Sequence, residues 1–364
     1  MDFEILGLGT AVPRYRITQS EAAELAQQTC GATEDQARLL KVLYRRAGVV
    51  TRHSIVASST ALGWMRSAED EGSLATLVQW GPTTQERMQI YSQHAGALAV
   101  GAARTALQRS GVSPAGITHL VTVSCTGFAA PGVDIALIGE LDLPATVERV
   151  QVGFMGCHGA INGLRVARAL CAADSRARVL LCAVELCSIH YQMQWDPKKF
   201  VGNSIFADGA GAVVGGAAPA AAEIGWRVAA SGSCLLPDSA DAMRWTIGDH
   251  GFEMELSPRV PDLIRQHLRP WFEPWLGRQG LALADIGCWA VHPGGPRILT
   301  AVEESLGLGR EALGVSREVL AEYGNMSSPT VLFILERLRE RQAQRPCVML
   351  GFGPGLMAEA ALFV

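Results

Sequence analysis

The chain is poor in charge, and the charge it carries has no basic excess. Lys and Arg number 31 against 35 Asp and Glu, for a formal net charge of −4, and lysine occurs only at Lys41, Lys198 and Lys199. Nucleic acid is therefore not expected as a partner. The nine cysteines are odd in number and none forms a C-x-x-C, which argues against a disulfide framework or a structural zinc site. Most of them read as small, buried, inert residues. A long unbroken apolar run is also missing. The most apolar long stretch, Ile205 to Trp226, contains Asp208, Pro219 and Glu223, so it reads as a buried strand with turns and no membrane span is expected. The opening MDFEILGLGTAVP has acids early and no basic segment before an apolar run. No signal peptide is expected, and a cytoplasmic location follows by default.

What is present is apolar bulk. With 364 residues, 49% hydrophobic, the chain can build a core larger than one small domain would use. A strand is expected at Phe3–Leu8, then a helix capped by Ser20 with Glu21 and Glu24 in its first turn. An alanine-rich helix from Thr84 to about Leu107 should pack closely against a neighbour. Short strands follow at His119–Ser124 and near Glu148–Val152, and strand and helix alternate from there on, which predicts a layered α/β fold. GGAAPAAA (Gly215–Ala222) resembles a linker between two halves. Two segments share a plan. One runs strand, Gly156, Cys157, apolar helix; the other runs Gly324, Asn325, apolar helix. A glycine permits a sharp turn and a helix start aims N–H groups at its surroundings, so both are places for chemistry. The repetition suggests an internally duplicated fold.

Cys157 lies in GFMGCHGAINGL, where a helix N-terminus should lower the thiol pKa and make a nucleophile for thioesters. His292 lies in WAVHPGGPRIL, presented at a strand end by a tight turn, and Asn325 lies in EYGNMSSPTVLFILE. Taken singly, each has a plainer reading. Cys157 reads as an inert buried thiol, His292 as a structural hydrogen-bond hub, and Asn325 as a helix N-cap.

The combination resembles the chalcone synthase superfamily of type III polyketide synthases, of the bacterial type. Cys157, HPGGP from His292, YGNMSS around Asn325 and GFGPGL at Gly351–Leu356 stand in that family's order, and the likeness extends from GLGTAVP through FADGAGAVV (Phe206–Val214). The resemblance implies a thiolase-like αβαβα layered fold with two related halves, residues 1–217 carrying the cysteine and 218–364 carrying the histidine and asparagine, working as a homodimer. It implies acyl-CoA and malonyl-CoA as substrates and no metal or redox cofactor. Cys157 would hold the starter and the growing chain as a thioester. His292 would keep Cys157 ionised and, with Asn325, donate hydrogen bonds to the thioester oxygen of malonyl-CoA, where losing CO2 leaves an enolate. Phe206 matches the family's aromatic gate and reads equally as core.

Where the plant chalcone-forming enzymes line their cavity with threonines, glycine and a second phenylalanine, this chain aligns Cys125, Cys187, His190, Trp245 and Met254. Ala129 and Ala130 replace larger residues and would open a path for a long alkyl starter, whereas Trp245 would shorten the cavity. An aliphatic starter with pyrone or resorcinol-type products is expected, against chalcone-like or naphthalene-type products from an aromatic or malonyl starter. For CoA, Lys41, Arg45, Arg46 and Arg52 are candidates, with Arg46 alone on a matching position, and Gly294 and Arg297 fall beside the pantetheine path. Two rival readings are a ketoacyl synthase of fatty acid synthesis and a non-catalytic scaffold on the same fold.

Overall fold

The computed structural model describes residues 2–30, 32–66, 81–193, 195–196, 199–218 and 225–364. The chain opens with β1 (Asp2–Ala11), β2 (Tyr15–Thr18), α1 (Gln19–Thr29), α2 (Glu34–Arg46), β3 (Thr51–Ser54) and α3 (Ser58–Arg66). It continues with α4 (Thr84–Ser110), β4 (His119–Ser124), α5 (Val133–Glu140), β5 (Glu148–Gly153), α6 (Gly159–Ala173), β6 (Arg178–Leu186), α7 (Phe200–Ile205) and β7 (Asp208–Ala218). Next come β8 (Trp226–Leu235), β9 (Met243–Gly248), β10 (Gly251–Leu256), α8 (Val260–Gly277), β11 (Cys288–Val291) and α9 (Pro296–Leu306). Last are α10 (Gly314–Tyr323), α11 (Thr330–Glu340), β12 (Cys347–Gly353) and β13 (Met357–Phe363).

Strand alternation makes the layers. In β6, Leu180, Cys182 and Val184 join one buried cluster with the alanines of α4, while Val179, Leu181 and Ala183 join another with α6 and α11. In β12, Val348 and Leu350 pack toward α8 and α9, while Cys347 and Met349 face the same α6–α11 layer. Each strand is therefore apolar on both faces, as buried sheets require. The result is the thiolase-like αβαβα stack, with α6 and α11 in the middle.

Among the described residues, nine strands run β11-β12-β13-β8-β1-β7-β6-β4-β5. The two halves repeat a plan about the β1–β8 contact: β4 is parallel to β6 and β6 antiparallel to β7, as β11 is parallel to β12 and β12 antiparallel to β13. The alanine-rich helix α4 lies directly on β1. A side chain at Gly7 would stand 2.2 Å from Ala106 O, so only glycine allows this approach.

Two local expectations need correction. The cap of α1 is Thr18, not Ser20: its side chain accepts from Glu21 N while the Glu21 carboxylate accepts from Thr18 N at 2.6 Å. Gly215 to Ala218 is no linker but the end of β7, paired with Asp2–Ile5 of β1. Its small residues serve close packing, and residues 219–222 of the expected linker lie outside the described residues. No helix among the described residues is long and apolar enough to cross a membrane.

Candidate active site

Cys157 stands one residue ahead of His158, the N-cap of α6. The turn into it depends on Gly156, whose φ is +84° and where an added Cβ would lie 2.3 Å from Pro354 Cδ. Cys157 Sγ accepts a hydrogen bond from Ser327 Oγ at 3.5 Å, and the Asn325 side chain also favours its ionised form. Burial nevertheless dominates and pushes the thiol up to about 11. This corrects the expectation that the helix end alone lowers it.

His292 follows β11 directly and is 2% exposed, its backbone N–H donating to Leu350 O at 2.8 Å. Neither ring nitrogen has a hydrogen-bond partner among the described residues. A structural hub would use at least one, so that reading of His292 falls. Burial first, and the neighbouring His158 second, push the imidazole down to about 3.

Asn325 sits on a single parallel β-bridge with Phe206, donating from its backbone to Ile205 O at 2.8 Å and accepting from Ala207 N at 2.9 Å. Helix α11 starts only at Thr330, with Pro329 in the cap position, so Asn325 is no N-cap. Its Oδ1 accepts from Ser327 N at 2.8 Å, which leaves the amide nitrogen as the donor toward Cys157. Cys157, His292 and Asn325 line one cavity together with Phe206, Met254 and Gly294.

Two functional-looking groups had escaped the sequence reading. Ser327 donates to the Cys157 sulfur from a backbone with φ +58°. Glu185, fully buried, gathers Cys125 N at 2.9 Å, Thr126 Oγ1 at 2.7 Å and Ser328 Oγ at 2.6 Å, tying the loop after β4 to the loop before α11. Burial raises its carboxyl to about 6 against those hydrogen bonds. The signals were there: two serines after GNM, and one acid inside the apolar run VLLCAVEL.

Beside the cavity, Cys125, Cys187, Phe206, Trp245 and Met254 surround an adjoining hollow that also touches Cys157 and Ser327. Trp245 and Met254 are directly opposed on the β9–β10 hairpin, and Trp245 Nε1 donates to Cys125 O at 2.9 Å. Cys187, Phe206, Trp245 and Met254 border in turn a larger chamber, whose far wall includes Ile17, Leu25, Tyr44 and Trp64. His190 borders this chamber too, but both its nitrogens are occupied: Nε2 meets Thr126 O at 2.7 Å and Nδ1 accepts from Phe252 N at 2.9 Å. It can offer a ligand only its ring face, and burial pushes it down to about 3. Ala129 and Ala130 line none of these cavities, so the alkyl path expected there is not where the open space lies.

Arg46, Gly294 and Arg297 meet at one opening, which shares Ile205, Leu256, Gly294 and Ile298 with the Cys157 cavity. Arg52 does not belong there. It is 4% exposed and donates to main-chain carbonyls, so it is withdrawn as a CoA contact.

A layered fold of two related halves, with a cysteine at a central helix start and a histidine and an asparagine around one cavity, defines a condensing enzyme. The N-terminal and C-terminal domains of the chalcone and stilbene synthases match residues 2–219 and 227–364. The chain belongs to this family, the type III polyketide synthases, which are acyl-transferring condensing enzymes. It is 33% identical to the alpha-pyrone synthesis polyketide synthase-like Pks18 of Mycobacterium tuberculosis, over 99% of this chain and 90% of that one. It is 34% identical to the 1,3,6,8-tetrahydroxynaphthalene synthase of Streptomyces peucetius subsp. caesius, over 98% and 92%. The crystal structure of PKS-I from the brown alga Ectocarpus siliculosus superposes with a TM-score of 0.90 at 29% identity, covering 100% of this chain and 98% of that chain.

Proposed function

We propose that this enzyme loads an aliphatic acyl group from its CoA ester onto Cys157, extends it with malonyl-CoA by decarboxylative condensation, and releases pyrone or resorcinol-type products. The Cys157 proton passes to His292, and the thiolate attacks the acyl carbonyl. CoA leaves as its thiol, taking the proton back from His292. Malonyl-CoA then enters past Arg46 and Arg297 with its thioester oxygen toward His292 and Asn325. Loss of CO2 puts negative charge on that oxygen, where two preorganised donors in a dry site lower the barrier. The enolate carbon attacks the Cys157 thioester, giving the extended β-ketoacyl-CoA and freeing the thiolate; for the next round the thiolate takes the extended acyl group back from CoA, which leaves as its thiol with a proton from solvent. Written this way, the reaction balances without a metal or redox cofactor. The same reading takes residues 1–217 and 218–364 as the two halves. It also takes the exposed apolar residues Phe128, Ile135, Val150 and Met155, on and near the edge strand β5, as a homodimer face.

The observation that carries the chemistry is His292, buried with both ring nitrogens unpartnered, in one cavity with Cys157 and Asn325. Support for an aliphatic starter comes from the larger chamber behind Trp245 and Met254, whose wall is mainly apolar. Burying each starter methylene there contributes about 0.8 kcal/mol, roughly a fourfold gain in efficiency per carbon until the chamber fills. Product mass spectrometry and kinetics with malonyl-CoA and starters from acetyl-CoA to palmitoyl-CoA test this. The expected result is efficiency that climbs with chain length. A preference for p-coumaroyl-CoA, or for malonyl-CoA as its own starter, would reject it in favour of a chalcone-like or naphthalene-forming enzyme.

A further inference from the structure

Arg52 lies on β3, outside the opening formed by Arg46, Gly294 and Arg297, with its guanidinium directed mainly at backbone. Nη1 donates to Asn203 O at 2.8 Å and Phe206 O at 2.9 Å, and Nη2 donates to Ser204 O and to Gln19 Oε1. Gln19 braces the same place, its Nε2 donating to Ser204 O at 2.8 Å and Tyr44 O at 2.9 Å. The carbonyls that Arg52 collects belong to the end of α7 and the residue after it. From the other side the same few residues hold Asn325, through Ile205 O and Ala207 N. Residues 203–207 thus form a short bar with Arg52 along one edge and Asn325 along the other.

We infer that Arg52 is a positioning residue for decarboxylation: by fixing the carbonyls of Asn203, Ser204 and Phe206, it sets where Asn325 presents its carboxamide and where Phe206 bounds the Cys157 cavity. The inference rests on the reading of Asn325 as a donor to the malonyl thioester oxygen. Burial opposes the guanidinium charge, and Tyr44, Tyr191 and Asp208 favour it. Arginine suits the task because its planar fork serves several acceptors in fixed directions. A lysine ammonium is a single point on a flexible stem and cannot reach all four oxygens at once.

The test compares Arg52→Lys, Gln19→Ala and Asn325→Ala in two assays: malonyl-CoA decarboxylation, and acylation of Cys157 by hexanoyl-CoA followed by intact mass. A displaced donor costs up to about 100-fold, so Arg52→Lys should lower kcat for decarboxylation on the order of 10- to 100-fold. KM for malonyl-CoA and the rate of Cys157 acylation should stay as in the parent. Gln19→Ala keeps the guanidinium and should show the same split more weakly, and it carries the test alone if Arg52→Lys does not fold. If Asn325→Ala leaves decarboxylation intact, the reading of Asn325 fails and takes the inference with it. If Asn325→Ala lowers decarboxylation and the folded Arg52 and Gln19 variants do not, the inference alone fails. Equal losses in both assays, or a changed starter KM with decarboxylation intact, would also overturn it. The first outcome would make Arg52 general scaffold, and the second would set it against the starter chain.

Discussion

Cys157 and His292 are each uncharged when considered singly, because a dry site penalises a lone thiolate and a lone imidazolium alike. In the proposed mechanism proton transfer between them would create both charges together, and opposite charges about 4 Å apart attract by about 4 kcal/mol at an effective dielectric near 20. Among the described residues nothing hydrogen-bonds the His292 ring, which suits it to that exchange. The prediction at this scale concerns the pH profile of Cys157 alkylation by iodoacetamide. With His292 in place the rate should level off well below the value that burial alone dictates. In His292→Gln it should still be climbing toward about 11. Identical profiles in the two proteins would mean that His292 does not take the proton.

Among the elements, the β9–β10 hairpin decides the most about substrate. Directly opposed residues of an antiparallel pair project from the same face, so Trp245 and Met254 form one wall between the Cys157 side and the larger chamber. The bond from Trp245 Nε1 to Cys125 O fixes the indole across that boundary. Trp245→Gly should open the partition, shifting products to longer polyketides and starter preference to longer chains, as read by product mass spectrometry. Removing a packed indole costs about 3–5 kcal/mol of stability, so a lowered melting temperature is expected alongside. Unchanged product length in a folded variant would show that the chain does not grow past Trp245.

At the scale of the whole molecule, buried titratable groups pull pH stability in opposite directions. Glu185 and Asp208 are both raised to about 6, chiefly by burial. Their contribution is full below the ordinary carboxylate range and is lost as pH rises through about 6. His190 and His292 are lowered to about 3, so their contribution is present above the ordinary imidazole range and lost as pH falls toward 3. Between the two ranges the effects partly cancel. Glu185→Gln isolates one of them. Its melting temperature relative to the parent should improve as pH rises from about 4 to 7, by an amount equivalent to about 2 kcal/mol, even though lost hydrogen bonds lower it overall. A difference that stays flat across that range would mean the Glu185 carboxyl titrates normally.

Much of this was legible in the chain itself, and the division has a physical basis. Alternating apolar residues and turn signals located β4 (His119–Ser124) to the residue and announced α4 and the glycine-led start of α6, because strand and helix periodicity are local properties, whereas Asn325 proved to lie five residues ahead of α11. The motifs around Cys157, His292 and Asn325 identified the family because such short strings keep their order along the chain. Other features were set by residues far apart in the chain. Thr18 rather than Ser20 capped α1 because the chain enters from β2, and Arg52, a CoA candidate by sequence, went inward to carbonyls about 150 positions away. Glu185 joined loops from both halves, His190 spent both nitrogens on structure, and the open chamber lay behind Trp245 rather than at Ala129 and Ala130. By itself, then, the sequence determined the layered class and the family, and it singled out three residues that the fold brings to one cavity. Which groups are buried, which are partnered and where the empty space lies was decided by tertiary packing, because desolvation and shape arise only when distant segments close on one another.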